Sequence, residues 1–77
     1  MDPAVAFGRV LKAARKSAQL TQEQLALKAG VERNFVSLIE RGINQPTVRV
    51  LFKLAQALDV LPSTLIEQTE REAADTL

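Results

Sequence analysis

The chain of 77 residues has no cysteine, no histidine, no tryptophan and no tyrosine. Without cysteine there is no disulfide staple and no thiolate metal site, a composition that suits the cytoplasm. Without histidine the commonest general base and the commonest metal ligand are both missing. No Gly-rich phosphate loop and no cluster of metal ligands replaces them, and Ser37 has no base beside it, so an enzyme is the weakest reading and no cofactor is expected. Apolar runs are only a few residues long, which argues against a membrane span, and the opening residues lack the basic and apolar regions of a secretory signal. The length suits one small domain over residues 1–77, with no room for a ligand-sensing partner, so no small-molecule ligand is expected. A core of this size is marginal, and dimerisation would support it.

Charge is scarce in sum and uneven in place. The net value is +1, yet residues 1–53 carry +5 and residues 54–77 carry −4. A basic body with an acidic end suits a polyanion on one side only. Hydrophobic spacing then divides the chain into five helices with no competing strand pattern. Asp2 before Pro3 is an N-cap followed by proline at the first helical position; Phe7, Leu11, Ala14 and Ala18 make that helix's buried stripe. Gly8 inside it points to a close approach. Thr21 and Gln24 form a capping box for a second helix that ends at Gly30, with Val31 plugging the turn. A third helix runs from about Glu32–Arg33 to Arg41-Gly42, with Val36, Ile39 and Glu40 inward. A fourth is capped by Thr47 and carries a stripe of Val48, Leu51, Leu54, Ala55 and Leu58, with Asp59 left-handed at its end. Pro62 opens a fifth that packs Leu65 and Ile66; residues 68–77 are expected to fray or to need a partner.

Residues 21–42, TQEQLALKAGVERNFVSLIERG, are two short helices joined by a tight turn. That is the layout of a helix-turn-helix over about 21–41, whose second helix ordinarily lies in the DNA major groove. Arg33 in its first turn fits guanine O6 and N7, and Asn34 suits adenine or a phosphate. Ser37 permits close approach to a base edge. Phe35 has two readings of equal weight, thymine methyls or sugars at the groove edge, or the rim of the core. Leu38 reads a thymine methyl or covers the core. Glu32 serves the helix dipole, accepts from cytosine N4 or orients Arg33, the structural role being favoured. Lys12 is a second-tier phosphate contact.

The Phe7-Gly8, Leu11 and Ala14-Arg15 positions, Leu20-Thr21-Gln22-Glu23-Gln24-Leu25-Ala26, Gly30-Val31, Val36-Ser37-Leu38-Ile39-Glu40-Arg41-Gly42, Asn44-Gln45-Pro46-Thr47 and Leu51-Phe52-Lys53-Leu54-Ala55-Gln56-Ala57-Leu58 together resemble the Cro/C1-type (XRE-like) helix-turn-helix family over residues 7–66. Small single-domain members are the most similar: phage Cro and repressor domains, and the controller proteins of restriction–modification systems. The acid-Arg-polar-aromatic run at Glu32 to Phe35 favours the controller type. The resemblance implies an all-α, compact five-helix bundle of the lambda-repressor-like type, acting as a homodimer on a pseudo-palindromic operator in double-stranded DNA. It implies that Gln22 touches a phosphate, that Arg33, Asn34 and Ser37 read bases, and that Asn44, Gln45 and Thr47 grip the DNA backbone. It also implies an internal ion pair between Arg15 and Glu40. Ile43 stands where a basic residue is frequent in the family. Each monomer would offer about 600–1,000 Å² to DNA, and a dimer would set its recognition helices about 34 Å apart. The dimer surface is expected at the end of the fourth helix and in the fifth, around Val60, Leu61, Leu65 and Ile66. The competing reading is an antitoxin-type protein-interaction module on the same fold.

Overall fold

A computed structural model describes residues 1–75. Five helices follow in order: α1 (Pro3–Ser17), α2 (Gln22–Ala29), α3 (Arg33–Glu40), α4 (Val48–Leu58) and α5 (Pro62–Asp75), with no strand among the described residues. The all-α bundle expected from the sequence is therefore the fold. No helix among the described residues is long and apolar enough to cross a membrane.

The helix starts follow local chemistry. Asp2 Oδ1 accepts from the Ala4 and Val5 amides at 2.7 and 3.4 Å, and Pro3 follows it. The capping box is closed in both directions, Gln24 N to Thr21 Oγ1 at 3.0 Å and Thr21 N to Gln24 Oε1 at 2.9 Å. The ends of α1 to α4 share one device. In each, a left-handed residue (Gln19, Gly30, Gly42, Asp59) is followed by an apolar one (Leu20, Val31, Ile43, Val60) whose amide reaches back five residues, for instance Leu20 N to Arg15 O at 3.1 Å. This six-to-one closure satisfies carbonyls that the helix end leaves open. Leu20, Val31 and Val60 then pack on the core, whereas Ile43 stays exposed.

All five helices contribute to one buried cluster, with Leu11, Leu25, Val36, Ile39, Leu54 and Leu65 essentially without solvent contact. Gly8 marks a close approach of α1 to α3. A methyl there would overlap the backbone oxygens of Ile39 and Glu40, the latter at 2.8 Å.

Several expectations need correction. Ala18 caps α1 and is exposed, while Ala6, Val10 and Arg15 are buried instead. α3 ends at Glu40, one residue short of the expected Arg41, which is its C-cap. Val48, counted in the α4 stripe, is exposed because it sits in the first turn, and Ala57 is buried in the stripe. Ile66 is exposed, and Leu65 alone of that pair enters the core. The stretch expected to fray is helical to Asp75 and lies along α1. Thr69 is buried there, its hydroxyl donating to Leu65 O at 2.7 Å, and Arg9 pairs with Glu72 at 3.5 Å. Residues 76 and 77 of that stretch lie outside the described residues.

Candidate nucleic-acid interface

A junction of four chain segments sits behind α3. Arg15 near the end of α1 meets Glu40 at the end of α3 through two parallel bonds, Nε to Oε2 at 2.6 Å and Nη2 to Oε1 at 3.0 Å. Its third nitrogen, Nη1, donates to Leu20 O at 2.9 Å, tying down the segment that leads into α2. The side chains are 10% and 3% exposed, so the pair is nearly dry, and its bidentate geometry offsets the desolvation that burial imposes. The hydrogen bond to Glu40 raises the Arg15 pKa above its usual value; the Glu40 charge adds to this, against the opposing effect of burial. The ion pair implied by the resemblance is thus present.

Gln22, the first residue of α2, joins the same carboxylate: Nε2 donates to Glu40 Oε1 at 3.1 Å. No sequence spacing announces this contact, because it bridges 18 residues and depends on how α2 crosses α3. Gln22 also lines an open hollow together with Arg15, Thr21, Glu23 and Arg33, so the structure brings Gln22 and Arg33 to one surface.

On α3, Arg33 and Asn34 are exposed in the first turn and Ser37, one turn on, is half-buried. Residues 33 and 37 share a face by helical spacing. Phe35 is half-buried and packs against the core, and Leu38 is half-buried. Glu32 is the N-cap by backbone geometry only, its carboxylate making no bond to the first-turn amides. After α3 the Leu38 carbonyl accepts from Ile43 N at 3.0 Å and Asn44 N at 3.3 Å, which folds the loop back on the helix. Asn44 is half-buried and Gln45 exposed. Thr47 Oγ1 accepts from Val50 N at 3.1 Å, leaving its hydroxyl proton free to donate outward. Gln45 and Thr47 border a second hollow with Pro46, Val48 and Ile66. Lys12 is exposed on α1 and lines neither hollow.

The residues expected at a dimer surface differ in their exposure. Leu65 is 1% exposed and belongs to the protomer's own core, and Val60 is half-buried on it. Leu61 and Ile66 are accessible, and Phe52 and Val48 are exposed as well. Phe52, Val60 and Leu61 line one concavity, while Val48 and Ile66 line another. The signal available beforehand was the four-residue spacing of Val48 and Phe52 on one side of α4.

A family model described as helix-turn-helix matches residues 11–65. The chain is 36% identical over 70 residues to an uncharacterized HTH-type transcriptional regulator, y4dJ, of Sinorhizobium fredii, covering 91% of each protein. It spans 41% of the length of three other curated relatives, two mycobacterial HTH-type regulators and the immunity repressor of Bacillus phage phi105. Among solved structures it is similar to the restriction–modification controller protein C.AhdI from Aeromonas hydrophila, at 39% identity and a TM-score of 0.79, covering 80% of this chain and 94% of that one. It is also similar to the controller protein C.Esp1396I, solved as a tetramer with its natural 35 base-pair operator, at 28% identity and a TM-score of 0.84, covering 94% and 95%.

Proposed function

The chain belongs to the helix-turn-helix family, of the Cro/C1 type, and on that premise we propose that it is a sequence-specific DNA-binding transcriptional regulator acting as a homodimer on a two-fold symmetric operator. The observation that carries the reading is the exposure of Arg33 and Asn34 at the start of a helix whose other end is locked to α1 and α2 by the Arg15–Glu40–Gln22 junction. Such a helix offers side chains to base edges without itself moving. Arg33 donates to guanine, Asn34 and Ser37 read neighbouring positions, and Phe35, packed on the core, reaches the groove edge with what it leaves exposed. Gln22, Asn44, Gln45, Thr47 and Lys12 hold phosphates and set the register.

The likeness to two controller proteins, one of them on its operator, favours a restriction–modification controller over other small regulators. Residues 1–77 act as one domain, in the cytoplasm, and the mechanism has no catalytic step. Homodimerisation uses Leu61, Ile66, Phe52 and the accessible part of Val60.

Selection of bound duplexes from a randomised pool tests the reading, with Arg33→Ala beside the wild type. A two-fold symmetric motif is expected, losing about 1–3 kcal/mol of discrimination at one position per half-site in the variant. Binding without any enriched motif removes the proposal. Raising the salt should weaken binding with a log–log slope of about −0.9 per phosphate contact.

A further inference from the structure

We propose that Glu40 is a positioning residue for DNA binding: it holds the Gln22 side-chain amide in place before DNA arrives. The inference rests on the reading of Gln22 as a phosphate contact and adds to the structural role of the ion pair. The Glu40 carboxylate receives two bonds from Arg15 and a third from Gln22, whose Nε2 lies 3.1 Å from Oε1. An ionised carboxylate can only accept, so it fixes which end of the amide turns inward. The nitrogen carries two protons; one goes to Glu40, and the second is left to donate toward the hollow that Gln22 shares with Thr21, Glu23 and Arg33.

Charge favours the same arrangement. A lone carboxylate beside a phosphate site would repel the ligand, but Arg15 neutralises this one through a bidentate contact. The amide is therefore oriented by a group whose charge is already balanced. A free glutamine side chain has many rotamers to lose on binding, and ordering it beforehand removes that cost from the association step. Because Arg15 also holds Leu20 O, the cap of α2 and the side chain that follows it are fixed against the same atom group.

A double-mutant cycle separates this from a purely structural role. Glu40→Gln alone leaves a buried guanidinium unpaired and can unfold the chain. Arg15→Met with Glu40→Met instead replaces the pair by apolar groups of similar length, a change that buried pairs commonly tolerate. Affinity for the selected operator is measured for the wild type, Gln22→Ala, the double variant and the triple variant, each first shown to be folded. Gln22→Ala is expected to weaken the wild type roughly tenfold, as for a hydrogen bond to a charged group, and the Met/Met background by less than about twofold. An equal factor in both backgrounds overturns the proposal. A wild type that binds no DNA sinks the functional reading and this inference together; binding with an unchanged ratio sinks the inference alone.

A second measurement needs no variant. In free wild-type protein, relaxation of the Gln22 side-chain amide should report restricted picosecond–nanosecond motion compared with the exposed Gln56 and Gln68. A Gln22 amide as mobile as those two refutes pre-positioning whatever the cycle gives.

Discussion

Replacing Gly8 with alanine sets two effects of known sign against each other. In an open helix the exchange stabilises by about 1 kcal/mol, because glycine has more backbone freedom to lose. Here the new methyl would meet the carbonyl oxygen of Ile39 within contact distance and those of Glu40 at 2.8 Å for oxygen and 3.1 Å for carbon. Real methyl groups do not sit that close, and both obstacles are backbone atoms, so no rotamer change relieves them. α1 and α3 must separate by roughly half an ångström, and overpacking of this kind costs about 1–3 kcal/mol. With rigid backbone on both sides the upper part of that range applies, and a net loss of about 1–2 kcal/mol remains. A domain of this size has roughly 4–11 kcal/mol in total, and each kcal/mol moves Tm by about 4–8 °C. Gly8→Ala should therefore melt roughly 5–15 °C below the wild type by circular dichroism and bind DNA less tightly. Ala13→Gly, on the exposed side of the same helix, supplies the opposite control and should cost about 1 kcal/mol. A Gly8→Ala variant that melts at or above the wild-type temperature refutes the reasoning, for it would mean that the two helices part freely.

Arg15→Ala strands the Glu40 carboxylate, whose side chain is 3% exposed, and should lower stability by about 3–5 kcal/mol in urea titrations; a loss under about 1 kcal/mol would mean water reaches the pair. Leu65→Ala removes a core side chain and should cost about 2–5 kcal/mol within the protomer. Leu61→Ala, at a residue 67% exposed, should leave protomer stability within about 0.5 kcal/mol yet weaken self-association in sedimentation. Destabilisation by Leu61→Ala with unchanged association would remove Leu61 from the dimer surface.

What could be read in the chain beforehand divides by range. Caps and closures are decided within six residues, and Asp2-Pro3, Thr21 with Gln24, Gly30, Thr47, Asp59 and Pro62 all act where local chemistry places them. Periodicity failed where helix neighbours, not the helix itself, decide burial. Val48 has the spacing of the α4 stripe, but no described residue buries it. Leu65 and Ile66 are adjacent, so about 100° of helix rotation separates them and only one enters the core. Thr69 is the instructive case. Its hydroxyl donates to the carbonyl four residues back, so a polar side chain is buried with its bond made, and hydropathy misses that α5 continues against α1. Among the candidate site residues, the exposure of Arg33 and Asn34 was readable because it is a local property of a helix start. The anchoring of Gln22 was not, because Glu40 is 18 residues away.

The Gly8 approach and the Arg15–Glu40 pair act on the same turn of α3. One presses on the carbonyls of Ile39 and Glu40, the other grips the Glu40 side chain. The opposite end, at Arg33 and Asn34, is exposed and has no side-chain cap. An eight-residue helix is about 12 Å long at 1.5 Å per residue, so it works as a short lever held at its far end. The hydrogen bonds on Glu40, at 2.6 to 3.1 Å from three donors, fix this end of α3 in direction as well as distance. A guanidinium meeting two base atoms requires placement to a few tenths of an ångström. On the proposed reading of bases by Arg33, loss of the charged pair should degrade discrimination between operators even where the fold survives.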